Sequence, residues 1–201
     1  MSIPNKVWTL CLLMGALSLT ACSGMTQSDQ PAVQTWWLEP YASATQEISN
    51  KTPLVRVSVT VVPGLDTNRI LTLSGNAELK KYTAARWADN LPELLSSLIG
   101  RSLGASGRFD VVSDQAGAVS EDCNLQLEAS EFYANLGLNG QTIGVSVALD
   151  GSYQCEPDER MPIQLSTSMP VHGESISEIV AAFQRAMDRV MVGLLAEIQA
   201  L

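Results

Sequence analysis

Leu54-Val55-Arg56-Val57-Ser58-Val59-Thr60-Val61-Val62, closed by Pro63-Gly64, is the stretch that decides the fold. Val55, Val57, Val59 and Val61 fall on one face; Arg56, Ser58 and Thr60 fall on the other. β-Branched residues at strict period two make a half-buried strand, and Pro-Gly ends it. Further on, Asn90-Leu91-Pro92-Glu93 opens a helix: Asn90 can cap, Glu93 can close a capping box, and Pro92 is tolerated in the first turn. Leu91, Leu94, Leu95, Leu98 and Ser102 follow its stripe, widened by Ile99 and Leu103, and Gly104 and Gly107 stop it. Phe109-Asp110-Val111-Val112 is a second short strand. Strand, helix and strand predict a parallel crossover, right-handed as such units are. Between them, residues 69–73 and 78–82 read as short strands around Ser74-Gly75-Asn76.

Residues 123–133 and 142–155 form the next pair. Leu125, Leu127 and Ala129 alternate, as do Ile143, Val145, Val147 and Leu149. Asn139-Gly140 between them is a hairpin signal. Position 139 is also midway between Cys123 and Cys155, so folding there sets the two cysteines opposite each other. Cross-strand Cβ atoms lie ~4.5–5.5 Å apart, wider than the disulfide mean of about 3.8 Å, so the bridge needs a local adjustment or a bulge. Residues 161–171 give a further strand. Ser175-Ile176-Ser177-Glu178 then caps a long last helix. Its apolar face carries Ile176, Ile179, Val180, Phe183, Met187, Val190, Met191, Leu194, Leu195 and Ile198. That face packs on the sheet; the sharper alternative is that part of it binds a partner or an acyl chain. The sum is one α/β (α+β) domain, a mixed sheet with two main helices on one face.

The start of the chain is different. Lys6, the apolar block of residues 7–19 and Leu19-Thr20-Ala21-Cys22 make a secretory signal of the lipoprotein kind. A membrane span needs ~20 apolar residues, and this block is shorter and ends in small polar residues. Residues 1–21 are the signal. Cys22 becomes the acylated N-terminus, with a diacylglyceryl thioether and an N-acyl chain such as palmitate, and more than one chain is what stable anchoring requires. Residues 22–35 read as a tether and 36–201 as the domain. Ser23, where Asp would retain an enterobacterial lipoprotein at the inner membrane, points to the periplasmic side of the outer membrane.

Removal of residues 1–21 takes away Lys6 and no acid. The mature chain keeps 180 residues, with 11 Lys+Arg against 21 Asp+Glu and a net charge near −10. That excludes nucleic acid as a partner and argues against docking on anionic headgroups through the folded surface. Cys11 leaves with the signal and acylation consumes Cys22. Cys123 and Cys155 remain as an even pair in an oxidising compartment, where a disulfide forms. No reaction chemistry is legible. The one histidine, His172, lies in a loop beside Gly173. The metalloprotease, P-loop and nucleophile-elbow motifs do not occur. The sequence calls for no cofactor, no metal and no catalytic residue.

Three tracts carry a family resemblance: Val62-Pro63-Gly64-Leu65-Asp66, then Arg86-Trp87-Ala88-Asp89 with Leu91 before the leucine helix, and the opening Trp36-Trp37-Leu38-Glu39-Pro40. They resemble the ABC-type transport auxiliary lipoproteins, the PqiC-like family, over most of the mature chain. The turn departs from the family pattern in lacking an aromatic between Gly and Leu. The resemblance implies a non-enzymatic accessory subunit of an ABC/MCE-type system that moves lipids between the two membranes. Its partner would be the periplasmic MCE-domain protein, held within reach by the lipid anchor in the outer membrane. It gives Pro63, Gly64, Asp66, Arg86, Trp87 and Asp89 a structural or docking role, with Trp87 packed in the core and Arg86 paired with an acid. The alternatives are a lipid-binding module with its own apolar groove, and an envelope-assembly lipoprotein unrelated to transport. A homo-oligomer stays open.

Overall fold

Val55, Val57 and Val59 turn into the core and Thr60 faces solvent, as their alternation requires. The computed structural model of the chain describes residues 32–42, 52–113, 122–157, 159–173 and 175–199; the signal, Cys22 and most of the tether lie outside them. In chain order the strands are β1 (Gln34–Trp36), β2 (Leu54–Val61), β3 (Arg69–Leu73), β4 (Leu79–Trp87), β5 (Asp110–Ser113), β6 (Cys123–Leu136), β7 (Thr142–Glu156) and β8 (Glu159–Pro170). The helices are α1 (Leu91–Ala105) and α2 (Ile176–Ile198), and a 3-10 turn spans Pro63–Leu65.

The strands make one open mixed sheet built on β6. On one side β6 pairs antiparallel with β7, and β7 with β8. On the other side it takes two partners in succession, both parallel: β2 along residues 123–129, then β3 at 134–135. β5 continues beyond β2 in parallel, and β4 and β1 continue beyond β3. The expected parallel crossover is therefore present from β2 through α1 to β5, with the β3–β4 hairpin inserted in it. Both helices cover the apolar face, α1 over β2 and β5 and α2 over β7 and β8, and they touch each other. The apolar face of α2 is spent on that packing: Ile179, Val180, Phe183, Met187, Val190, Met191, Leu194, Leu195 and Ile198 are all buried. Ser175 caps it through a complete capping box with Glu178.

The register of β6 and β7 holds the most information. Ser130 is an extra residue on β6, and Ile143 an extra residue on β7. Each bulge shifts the pairing by one, and the two shifts cancel. The cysteines therefore stay opposite, as their distance from position 139 implies, and a Cys123–Cys155 disulfide joins the strands with its Cα atoms 4.0 Å apart. The anticipated local adjustment exists: Cys155 is itself an extra residue of β7 against β8. Ile143, in contrast, does not join the inward row with Val145, Val147 and Leu149. As the bulged residue it is turned outward and is 58% exposed.

Three other expectations change. The capping box at α1 is absent: Asn90 makes no side-chain cap bond. The first turn is satisfied otherwise, because the Leu91 N–H donates to Thr67 O at 3.2 Å and Pro92 has no N–H to satisfy. Gly104 lies within α1, and Gly107, at φ +71°, ends it. β4 runs on to Trp87 because its last residues pair with β1. The turns of the β3–β4 and β6–β7 hairpins share one design, a three-residue loop closed by two backbone bonds. Gly137 N–H meets Gln141 O and Gly140 N–H meets Gly137 O; Ser74 N–H meets Glu78 O and Ala77 N–H meets Ser74 O. The residue before the second strand must be left-handed in such a loop. Gly140 fills that position at φ +79° and Ala77 fills it at φ 61°.

Two outcomes follow from this geometry. Ala77→Gly should stabilise the protein by about 0.5–1 kcal/mol, read by urea unfolding, since it removes the left-handed penalty of a Cβ. Reducing the disulfide, which closes a loop with a sequence separation of 32, should cost about 3–4 kcal/mol in the same assay by the chain-entropy relation.

Candidate docking site

The Val-Pro-Gly-Leu-Asp tract lies where the edge of β6 changes partner. The Val62 N–H reaches Ala129 O at 3.1 Å, the last rung before the Ser130 bulge. The chain then leaves the sheet through the 3-10 turn: Leu65 N–H bonds Val62 O at 2.8 Å and Asp66 N–H bonds Pro63 O at 3.4 Å. Leu65 drops into the core, while Pro63, Gly64 and Asp66 are exposed. Proline fits because its fixed φ suits the turn and its missing N–H breaks the ladder there.

The second tract closes on the first. Trp87 N–H donates to Asn68 O at 2.7 Å, Ala88 N–H to Trp36 O at 2.8 Å, and Leu91 N–H to Thr67 O. All three motif tracts are thus joined through backbone bonds at one flank of the sheet. Trp87 is buried, edge-on to Phe132 at 5.8 Å and to Phe183 at 5.3 Å between ring centroids, and Phe132 stacks on Phe183 at 4.7 Å. Arg86 and Asp89 are exposed on either side of it. The partner the structure gives Arg86 is a hydroxyl rather than the expected acid: its Nε donates to Thr35 Oγ1 at 3.2 Å. Asp89 Oδ1 accepts the Asn90 N–H at 2.9 Å. Of the six motif residues, then, Trp87 builds the core and the other five are the exposed rim residues.

The opening tract ties both helices to this flank. Leu38 is the fully buried anchor of this tract; Trp36 is half-buried, and Trp37 is exposed with the Arg101 guanidinium 4.8 Å from its ring centre. The Tyr41 N–H donates to Ser102 Oγ on α1, and Gln184 on α2 bonds both the N–H and the C=O of Glu39. Beside the rim runs an open groove of about 590 Å³ between α1 and the β2–β5 edge. Val57, Val59 and Val111 line it, together with Asp89, Glu93 and Arg101. The residues that sequence reasoning passed over are Thr67 and Asn68. Their carbonyls hold Trp87 and Leu91 in place, and their type, turn-forming residues between two elements, is the signal that was there to read.

Among the described residues two titratable side chains have displaced pKa values, and both are tyrosines. Burial first, then the hydrogen bond and charge of Glu131, push Tyr133 up to about 12. Burial pushes Tyr153 up. Both stay neutral at physiological pH and neither is poised as an acid or base. His172 is exposed. Among the described residues no group of three or more His, Cys, Asp and Glu is placed to hold a metal ion, and no helix is long and apolar enough to cross a membrane.

The sequence pattern of the ABC-type transport auxiliary lipoprotein component family matches residues 37–193. The chain belongs to this family. All three motif tracts and both helices fall inside or at the edge of the match. Among solved structures the fold is similar to XCC0632 of Xanthomonas campestris, at a TM-score of 0.61 and 20% identity, over 82% of this chain and 90% of that one. It is also similar to an uncharacterised protein, at a TM-score of 0.64 and 13% identity, over 83% and 99% of the two chains. CT253 of Chlamydia trachomatis matches at a TM-score of 0.50 and 11% identity, over 74% and 95%. No curated protein matches the sequence. As an auxiliary transport component of a lipoprotein family, the chain works with the components of an ABC-type transport system.

The division of the motif into core and rim is measurable. Trp87→Ala should cost about 3–5 kcal/mol of stability, as deletion of a buried aromatic does. Asp66→Ala and Asp89→Ala should stay within about 0.5 kcal/mol of wild type in the same unfolding assay, as exposed positions do.

Proposed function

We propose that this chain is an outer-membrane lipoprotein, acylated at Cys22, that serves without catalysis as the accessory subunit of an ABC/MCE-type system moving lipid between the membranes. Its part is to dock the periplasmic MCE-domain protein. The observation that carries this reading is the family match across residues 37–193, joined to the lipoprotein signal ending at Cys22. The exposed rim of Pro63, Gly64, Asp66, Arg86 and Asp89 is the docking site in this reading. It is held rigid from behind by Trp87 and by the carbonyls of Thr67 and Asn68. Exposed polar residues on a braced backbone are what a specific protein contact uses, with little ordering cost on binding.

The rival in which the domain carries lipid itself has less support. The apolar face of α2, the natural wall for an acyl chain, is already covered by β7 and β8.

The test is an in-cell crosslinking pulldown of the tagged lipoprotein with a Cys22→Ala control. Recovery of an MCE-domain protein with wild type is the expected outcome, with loss in the control. Recovery of only polysaccharide or protein-assembly machinery would place the chain outside lipid transport.

A further inference from the structure

The net charge near −10 conceals an uneven distribution. β3 and β6 run parallel, with Leu73 opposite Asn135, so the turns at 74–78 and 137–141 lie at one end of the sheet. That end carries Lys80 and Lys81, both exposed, in a groove that also takes in Gly140 and Thr142. Glu78 is the one acid of the β3–β4 turn, and it pairs with Lys80 at 2.9 Å while both remain solvent-exposed. The opposite end, around the disulfide, holds Asp122, Glu156 and Glu159.

Three of the exposed apolar side chains among the described residues lie at the same end, whereas Trp37 and Val192 lie elsewhere. Leu138, at the tip of the β6–β7 turn, is 109% exposed, and Ile143 and Leu79 are 58% and 39% exposed. Ile143 is there because of its bulge, and it lies over Gly137, where a Cβ would come within 3.0 Å of its Cγ2. Single exposed aliphatics are ordinary. Three of them beside two lysines at one end of an acidic protein form a patch with a definite chemistry: apolar tips framed by cations.

The chain's entry supplies the orientation. β1 runs parallel to β4, with Gln34 opposite Ala85 and Thr35 opposite Arg86. Followed backward from Thr35, the chain therefore heads toward the end where Leu79 and Lys80 lie. That end is four β3 residues beyond the level of Arg86, or roughly 13 Å at 3.3 Å per residue. The ten residues from Ser23 to Ala32 can span at most about 35 Å. A lipid on Cys22 thus lets this end reach the bilayer, and the acidic residues lie at the opposite end of the sheet.

We propose that the two hairpin tips rest on the surface of an anionic phospholipid bilayer, with Leu138 and Ile143 in the headgroup boundary and Lys80 and Lys81 against lipid phosphates. This rests on the Cys22 anchor of the proposed function. It turns the tether into an orienting device, presenting the acidic end to the periplasm and leaving the motif rim, whose Gly64 lies beside Leu79, on the flank near the bilayer. It also revises the sequence argument from net charge, since headgroups within a Debye length meet the local charge rather than the total.

The experiment uses the full lipoprotein in vesicles of phosphatidylethanolamine with about a third phosphatidylglycerol. A spin label is placed at Leu138→Cys or, as control, at Glu159→Cys, and its collisions with oxygen and with a water-soluble nickel chelate are compared. The expected result is a Leu138 label shielded from the chelate and open to oxygen, with the Glu159 label open to the chelate. Lys80→Glu with Lys81→Glu should lose that shielding, at about fivefold in surface affinity for each lysine removed. Equal chelate access at both sites would overturn the proposal. The mass of the N-terminal peptide separates the two readings. If it shows no lipid, the anchor fails, and the labelled protein is added to the same vesicles at high lipid concentration. A shielded Leu138 then still supports the tip contact, and an open one overturns it.

Discussion

The extra residue at Ser130 is the constraint on which the structure depends. Up to Ala129 the odd-numbered residues of β6 face the helices: Cys123, Leu125, Leu127 and Ala129. Beyond the bulge the even-numbered ones do: Phe132 and Ala134. A one-residue slip sends every later side chain to the other face, so without Ser130 the aromatic pairing of Phe132 with Trp87 and Phe183 would not form. Ser130 is fixed in turn by its hydroxyl, which bonds Asp150 Oδ2 on β7 at 3.1 Å. The bulge also ends the pairing of β2 and opens the gap that the Pro63–Leu65 turn fills. Bulges often re-aim chains beside working sites, and here the re-aimed chain is the motif rim.

The fold was legible wherever periodicity and turn chemistry agreed. The valine alternation of β2, the leucine stripe of α1, the capping box of α2 and the midpoint argument for Cys123 and Cys155 all hold. The midpoint argument holds for a reason the sequence does not display, namely two bulges on opposite strands that offset each other. Ile143 shows the cost: alternation alone assigned it to the core, and the same bulge that preserves the cysteine register turns it out. The α1 cap was misread because Asn90 and Glu93 satisfy a local pattern, while Thr67, distant in sequence, supplies the acceptor. Local pattern cannot see a nonlocal carbonyl.

At the candidate site, the residue types were legible and their division of labour was only partly so. Burial of Trp87 follows from its size and apolar neighbours. The exposure of Arg86 and Asp89 follows from their position on either side of it on a strand that ends in a bend. What no spacing argument supplies is that the three tracts meet at one flank, because β1 joins β4 across a long stretch of sequence. The family assignment makes the chain an auxiliary component of an ABC-type transport system, and the exposed motif residues on a backbone tied by Thr67 and Asn68 are what the proposed docking role would use.

The central claim is that this rim meets the transporter's periplasmic component. The direct measurement is site-specific photocrosslinking in cells, with a photoreactive residue placed at Asp66 or Asp89 and, as control, at Gln164, an exposed residue of β8. The account predicts a covalent adduct to an MCE-domain protein from Asp66 and Asp89 and none from Gln164. An adduct to that protein from Gln164 alone, or none from any of the three while the lipoprotein is correctly anchored, would contradict it.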